Sequence, residues 1–263
     1  MTLAYRDAAC SNHPGPPLSP PVPRAHLPRM TKLPDRLGNP AVAAFLKKVE
    51  AMPTVRPASG RPGRLIFAID ATASRQPSWD RACQLQGEMF MAVRDVGGLA
   101  VSLAYYRGFQ EFAATPFLTN ADDLARRMTG VACLGGHTQI LRTLKHALAE
   151  TQKDKVNAVI FIGDALEEDV DPICHVAGQL GLRGTPVFCF QEGHNPIAET
   201  AFRQVAKLSG GAWAPFDAGS AGALRDLLRA VAVFAAGGRQ ALARLGTASA
   251  RAIAGQLPAP RGG

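Results

Sequence analysis

Five side chains with oxygen donors fall in three short motifs that together suit a metal ion. The five are Asp70, Thr72, Ser74, Thr138 and Asp164. The first three form Asp-Ala-Thr-Ala-Ser, Thr138 follows Gly135-Gly136-His137, and Asp164 follows Gly163. Two carboxylates and three hydroxyls suit a hard divalent cation better than they suit zinc or copper. We expect Mg²⁺, and Mn²⁺ or Ca²⁺ would accept the same ligands.

Two apolar runs place the aspartates at strand ends. The runs Leu65–Ile69 and Val156–Ile162 read as buried parallel strands, and Asp70 and Gly163-Asp164 follow them directly. Ligands of open α/β sheets bind outside the carboxyl ends of the strands, where the strand order reverses. If these two strands flank that reversal, the aspartates face each other across one crevice. A strand-end Asp alone is often a helix cap, so the combination carries the prediction.

Strands alternate with helices from residue 64 onward. Predicted strands cover 65–69, 99–106, 109–117, 156–162, 186–190 and 212–216. Predicted helices cover 78–94, 121–129, 139–150, 171–182, 196–208 and 220–235. This succession predicts an α/β fold with a doubly wound, mostly parallel six-stranded sheet. The run 109–117 lies close enough to its predecessor for a hairpin, so we expect it to be an antiparallel edge strand.

The chain divides into four segments by composition. Residues 1–39 are proline-rich and are predicted to be a disordered tail. Residues 40–63 hold a short amphipathic helix over about 40–52 and a linker. The domain itself is expected over 64–236, and 237–263 reads as a basic Ala/Gly-rich tail with some helix. Met30 precedes a plausible beginning, so we expect the native protein to start there.

Charge and cysteine content narrow the function classes. The formal charge is +8, but most of it lies in residues 1–29 and 237–263. Nucleic-acid binding is therefore disfavoured, and a steep salt dependence would reveal it. The five cysteines are odd in number and show no CxxC spacing, which fits a reduced cytoplasmic protein. No apolar run reaches the ~18 residues of a membrane span.

Taken in order, the three motifs resemble the metal-ion-dependent adhesion site (MIDAS) of von Willebrand factor A-type (vWA) domains, intracellular bacterial type. The resemblance covers residues 64–236. Thr72 departs from the family's usual DxSxS, and Asp164 is all that remains of its TDG-like sequence. The family implies direct metal contact from Thr72, Ser74 and Thr138, with Asp70 and Asp164 binding mainly through water. It also implies a coordination position left for a carboxylate of a partner protein.

Two function classes follow. The resemblance implies a binding module, an intracellular adaptor that recognises an Asp or Glu of a partner such as an ATPase or chaperone. The alternative is a metal-assisted phosphohydrolase, because Asp70 is placed like the nucleophile of haloacid dehalogenases. That family needs a second acid two residues on, where Thr72 stands. No nucleophile–base pair is recognised in the set, so we expect no enzyme activity.

Acidic residues near the second aspartate have two interpretations. Glu167, Glu168 and Asp169 would either add negative charge near the metal or favour the N-terminus of helix 171–182. We favour the second interpretation. Glu192 and His194 follow a strand at the same edge of the sheet, where they either shape the binding surface or serve as ordinary loop residues.

Overall fold

A single six-stranded sheet organises the domain. The computed structural model describes residues 61–93, 98–217 and 221–258. Its strands are β1 (Gly63–Asp70), β2 (Leu99–Arg107), β3 (Glu111–Ala114), β4 (Ala158–Gly163), β5 (Val187–Glu192) and β6 (Ala212–Phe216). Their order is β3-β2-β1-β4-β5-β6, and every neighbouring pair is parallel except β2 and β3. The predicted fold class is confirmed.

Helices cover both faces of this sheet. The described residues form α1 (Gln76–Val93), α2 (Ala121–Thr129), α3 (Ile140–Lys153), α4 (Val170–Leu182), α5 (Pro196–Ser209), α6 (Ala221–Leu245) and α7 (Ala248–Gln256). A short 3₁₀ helix, Ala73–Arg75, precedes α1. None of these described helices is long and apolar enough to cross a membrane.

The core lies on the two faces of β1. Leu65 and Phe67 pack on one face with residues of α1, α2, α6 and α7. Ile66 and Ala68 pack on the other face with residues of α3, α4 and α5. Because helices cover both sides, the strand is an uninterrupted apolar run rather than an alternating one.

The strand order reverses where the two aspartates lie. The chain runs from β1 outward through β2 to β3, and then returns to the other side of β1 as β4. Ile69 pairs in parallel with Ile162, so both strands end at the same edge of the sheet. Asp70 is the last residue of β1, and Asp164 is the residue directly after β4. The sheet therefore places both carboxylates at the switch point.

The antiparallel edge strand is shorter than the predicted 109–117. Only Glu111–Ala114 pairs with β2 along a continuous ladder, and Leu118 makes an isolated bridge to Val101. Pro116 lies between them and has no N–H to donate to a ladder. Phe109 lies in the turn between β2 and β3, before the edge strand begins.

The described part of 237–263 packs onto the domain. Gly238 has a left-handed φ of 69° that kinks α6, after which helix resumes to Leu245. Leu242 and Ile253 are fully buried in the same core as β1. The Gln256 side chain accepts from Trp213 N–H at 2.7 Å and donates to the Trp213 carbonyl at 2.9 Å. Residues of this segment thus pack against the domain that was predicted over 64–236.

The predicted segments before residue 61 lie outside the described residues. These are the tail over 1–39, the helix over 40–52 and most of the linker that follows it.

Candidate metal site

Asp70 is a buried carboxylate with one unpartnered oxygen. Its side chain is 1% exposed, and its Oδ1 accepts a hydrogen bond from Thr72 N–H at 2.8 Å. Its Oδ2 has no partner in hydrogen-bonding geometry among the described residues, and the buried Tyr106 hydroxyl, which also lacks such a partner, is the neutral group that interacts with this carboxylate. Burial raises the pKa of Asp70, while the Thr72 N–H and the nearby Arg75 oppose that rise. A buried carboxylate oxygen without a partner is costly unless a cation or water meets it.

The turn after β1 brings two hydroxyls beside the second aspartate. Thr72 Oγ1 lies 3.5 Å from Ser74 Oγ, and Ser74 Oγ donates to Asp164 Oδ2 at 3.4 Å. Arg75 N–H bonds to the Thr72 carbonyl at 2.9 Å and closes the 3₁₀ turn that holds this arrangement. The Asp-Ala-Thr-Ala-Ser motif therefore delivers alternate side chains to one place.

Thr138 reaches the same cleft from the loop 130–139. This loop is tied to the end of β1 by a bond from Leu134 N–H to the Ala71 carbonyl, at 3.0 Å. Thr138 Oγ1 accepts from Glu167 N–H at 3.0 Å, and Thr138 N–H donates to Glu167 Oε2 at 3.2 Å. The hydroxyl oxygen is thus fixed in place by the segment that follows β4.

All five residues singled out from the sequence line one cleft of about 200 Å³. The residues are Asp70, Thr72, Ser74, Thr138 and Asp164. The described part of the chain contains no cluster of three or more His, Cys, Asp or Glu side chains able to hold a metal. Hydroxyls must therefore complete any ligand set here, and the unpartnered Asp70 oxygen fits a cation in this cleft.

A buried arginine beside the cleft was missed by the sequence analysis. Arg75 is 1% exposed, forms an ion pair with Glu192, and has a nitrogen 3.7 Å from Asp164 Oδ2. Ser78 donates a hydrogen bond to the same Glu192 carboxylate. Glu192 thus forms an ion pair with the buried Arg75 guanidinium and is not a solvated loop residue. The position of Arg75 after Ser74 was the one available signal.

Two of the acidic residues after Asp164, Glu167 and Glu168, bond to neighbouring elements. Glu167 Oε2 lies 3.0 Å from His137 Nδ1, in addition to its bond with Thr138. Glu168 accepts from the backbone N–H groups of Ile140 and Leu141 and so caps α3. Asp169 occupies the N-cap position of α4 without a side-chain hydrogen bond to that helix. The interpretation that Glu167, Glu168 and Asp169 favour the N-terminus of this helix stays a prediction.

Two half-buried cysteines near this region are poor nucleophiles. Burial raises the pKa of Cys83 and of Cys133 to about 11. Both thiols are consequently protonated at neutral pH, and the thiolate is the reactive form. The four cysteines of the described residues are free, in agreement with their use as small packing residues.

Comparison with known proteins identifies the fold. No protein-family model matches the chain, and no curated protein matches it. The von Willebrand factor type A protein from Catenulispora acidiphila superposes with a TM-score of 0.54 at 14% identity, over 67% of this chain and 43% of that one. The SpRpn10 VWA domain superposes with a TM-score of 0.50 at 7% identity, over 60% of this chain and 90% of that one.

A third similar structure has a metal ion in its MIDAS motif. Proximal thread matrix protein 1 from the mussel byssus, with a zinc-occupied MIDAS motif, superposes with a TM-score of 0.51 at 14% identity. The match covers 65% of this chain and 46% of that one, so this chain spans less than half of that protein and of the Catenulispora protein. At these identities the likeness establishes the fold, which is that of vWA domains.

Proposed function

We propose that this vWA-fold domain is a metal-dependent protein–protein interaction module. The observation that carries the proposal is the buried Asp70 oxygen without a partner, in a cleft lined by three hydroxyls and Asp164. The buried Asp70 oxygen lacks a hydrogen bond within the protein, and a divalent cation bound among these oxygens would supply the missing interaction. The partner would offer an Asp or Glu carboxylate.

Each ligand residue has a distinct role in this proposal. Thr72, Ser74 and Thr138 would contact the cation directly through neutral oxygens, and Asp70 and Asp164 would act mainly through water. A cation held by neutral ligands keeps much of its positive charge and can attract an outside carboxylate. The chain's own contribution is to fix these oxygens, through the Thr72–Asp70 bond and the two Thr138–Glu167 bonds.

Mg²⁺ is the cation we propose, with Mn²⁺ and Ca²⁺ as the other cations this oxygen set would accept. Zinc occupies the MIDAS motif of the mussel protein, so zinc is also among the ions to be tested. A cytoplasmic adaptor acting beside an ATPase or chaperone is the cellular role that we propose for the module.

Metal binding is tested first without any partner. We expect Mg²⁺ to raise the melting temperature of the full chain and to give a saturable signal in calorimetric titration, because a ligand that binds only the folded state stabilises it. Asp164→Ala and Thr138→Ala should lose both responses while keeping the fold, since both residues lie at the rim of the sheet. Thr200→Ala, an exposed threonine of α5, is the matched control and should respond like wild type.

Partner capture is the second measurement. Proteins retained from a lysate by the wild-type chain should be released by EDTA and recovered on adding Mg²⁺. Retention that survives both EDTA and Asp164→Ala in a folded protein would contradict metal-mediated recognition. Metal-dependent turnover of a phosphomonoester that is abolished by Asp70→Ala would instead establish the hydrolase alternative.

A further inference from the structure

One buried cationic side chain lies between two carboxylates at the border of the candidate metal site. Arg75 is 1% exposed, and its Nη1 atom forms an ion pair with Glu192 and lies 3.7 Å from Asp164 Oδ2. Asp164 lines the cleft, whereas Glu192 does not. The distance to Asp164 is longer than a hydrogen bond, so the guanidinium is engaged by Glu192 and only close to Asp164.

Glu192 is the group that holds the guanidinium in this position. Ser78 donates a hydrogen bond to the same Glu192 oxygen that pairs with Arg75, so the acid is itself anchored. The Nε and Nη2 atoms of Arg75 have no hydrogen-bond partner among the described residues. Asp164 is the other carboxylate within 4 Å of the guanidinium in that part of the chain. Without the Glu192 charge, Arg75 would therefore turn to Asp164.

For Asp164, pairing with Arg75 and serving a cation are alternatives. In the proposed site this carboxylate reaches the cation mainly through bound water, and that water needs the oxygen lone pairs that a guanidinium would occupy. A positive charge in contact with Asp164 would also repel the cation. Because Glu192 engages the guanidinium, Asp164 stays available to the cleft, where Ser74 Oγ donates to it at 3.4 Å.

We propose that Glu192 is a positioning residue that prevents Arg75 from pairing with Asp164 and so keeps the site open to its cation. This inference rests on the proposed function and adds to it a residue that touches neither cation nor partner. Altering a residue that orients metal ligands commonly changes metal affinity by about 10–100-fold. Glu192→Gln is a suitable variant, because it keeps the side-chain length and an oxygen that can accept from Ser78 while it removes the charge.

Calorimetric titration of the full chain with MgCl₂ tests this inference. We expect Glu192→Gln to weaken Mg²⁺ binding by about tenfold or more relative to wild type. Adding Arg75→Met to Glu192→Gln should restore the wild-type affinity, because the group that competes for Asp164 is then gone. Glu199→Gln is the matched control, because this more exposed acid on α5 also pairs with an arginine, and it should bind Mg²⁺ like wild type.

A crystal structure of Glu192→Gln grown in EDTA gives a readout that needs no metal. An Arg75 nitrogen should lie about 2.8 Å from an Asp164 oxygen, in place of the 3.7 Å of the wild-type chain. A weakened Mg²⁺ affinity with Arg75 unmoved would overturn the inference, because loss of the Glu192 charge would then explain the effect without any new pairing.

The outcomes separate this inference from the proposed function. Wild-type Mg²⁺ affinity in a folded Glu192→Gln variant would overturn the inference and leave the metal module standing. A folded double variant that binds Mg²⁺ more weakly than wild type would do the same, whether or not Glu192→Gln folds by itself. A wild-type chain that shows no Mg²⁺ binding would overturn both, and circular dichroism establishes the fold of each variant.

Discussion

At the scale of single residues, the burial of the Asp70 carboxylate lowers the stability of the folded protein. Its carboxylate is buried, one oxygen has no partner, and burial raises its pKa above the ordinary value. A buried ionisable residue at a cleft is a recurrent sign of a functional site. Its burial lowers the stability of the folded protein, and the rest of the fold offsets that loss.

Asp70→Asn should therefore stabilise the metal-free protein and abolish its response to metal. We expect the free energy of unfolding at pH 7 in EDTA to rise by about 1 kcal/mol, since a neutral amide costs less to bury than a carboxylate. The raised pKa makes the wild-type carboxylate increasingly unfavourable as pH rises through it, so the difference should shrink toward about pH 3. Urea denaturation at both pH values, with EDTA or MgCl₂, measures this.

Asp164→Asn provides the matched comparison. The Asp164 side chain is 30% exposed and lies near Arg75, so neutralising it relieves no comparable burial. It should lose the Mg²⁺ response without gaining stability in EDTA. If both variants are less stable than wild type in EDTA, the Asp70 carboxylate is satisfied in a way that contradicts our interpretation.

The Arg75–Glu192 ion pair lies beside the candidate metal site. Both groups are largely buried, and breaking such a pair leaves one charge without compensation. The pair also sets a positive group beside Asp164, which holds that carboxylate near Ser74. It is thus a positioning element rather than a metal ligand in our proposal.

At the scale of elements, the loop 130–139 determines whether Thr138 reaches the cleft. The loop follows α2 and leads into α3, and it passes directly over the turn between β2 and β3. Gly136 is the point of closest approach, and its neighbour Gly135 has no atom within 4 Å of an added Cβ. The two glycines therefore have different roles despite being adjacent.

Gly136→Ala should be destabilising and Gly135→Ala should not. We expect the first variant to lose about 1–3 kcal/mol of unfolding free energy, because its Cβ would overlap the Gly108 backbone and displace the loop. Displacement should also weaken Mg²⁺ binding through Thr138. The second variant should stay within about 0.5 kcal/mol of wild type. Chemical denaturation and calorimetric titration of both variants check this, and equal losses would contradict the contact.

At the scale of the whole molecule, the C-terminal helices complete one face of the core. α6 and α7 pack on the same face of β1 as α1, and the Gln256 side chain bonds to both backbone polar groups of Trp213 on edge strand β6. An edge strand needs such cover, because unpaired N–H and C=O groups invite pairing with other chains. The last described segment therefore contributes to the stability of the sheet.

Ile253→Ala should cost about 2–4 kcal/mol of unfolding free energy, because the side chain is fully buried and its removal leaves a cavity. Arg251→Ala in the same helix is the control, because this side chain is exposed and should change stability by less than about 0.5 kcal/mol. Thermal and urea denaturation distinguish the two. Equal, small effects would mean that α7 is dispensable to the folded core.

Local sequence patterns were sufficient for the fold class and for the placement of five oxygen-bearing residues at one cleft, while their binding of a metal stays a prediction. Apolar runs the length of a strand, each ending in Asp or Gly-Asp, have one stable place in an α/β domain, at the centre of a parallel sheet. The carboxyl ends of such strands lie at a common edge, so Asp70 and Asp164 were predictable neighbours. The hydroxyls of Thr72, Ser74 and Thr138 followed from short motifs, since turn geometry is local.

The remaining features depend on contacts between distant parts of the chain. The Arg75–Glu192 pair, the capping of α3 by Glu168 and the approach of Gly136 to Gly108 each join segments that only the folded sheet brings together. The burial of Ile253 likewise depends on how α7 docks, because an Ala-rich segment with glycines has too weak a periodicity to reveal a buried face. Sequence patterns report what a segment forms by itself, whereas these partners are selected by packing and charge pairing across the tertiary structure.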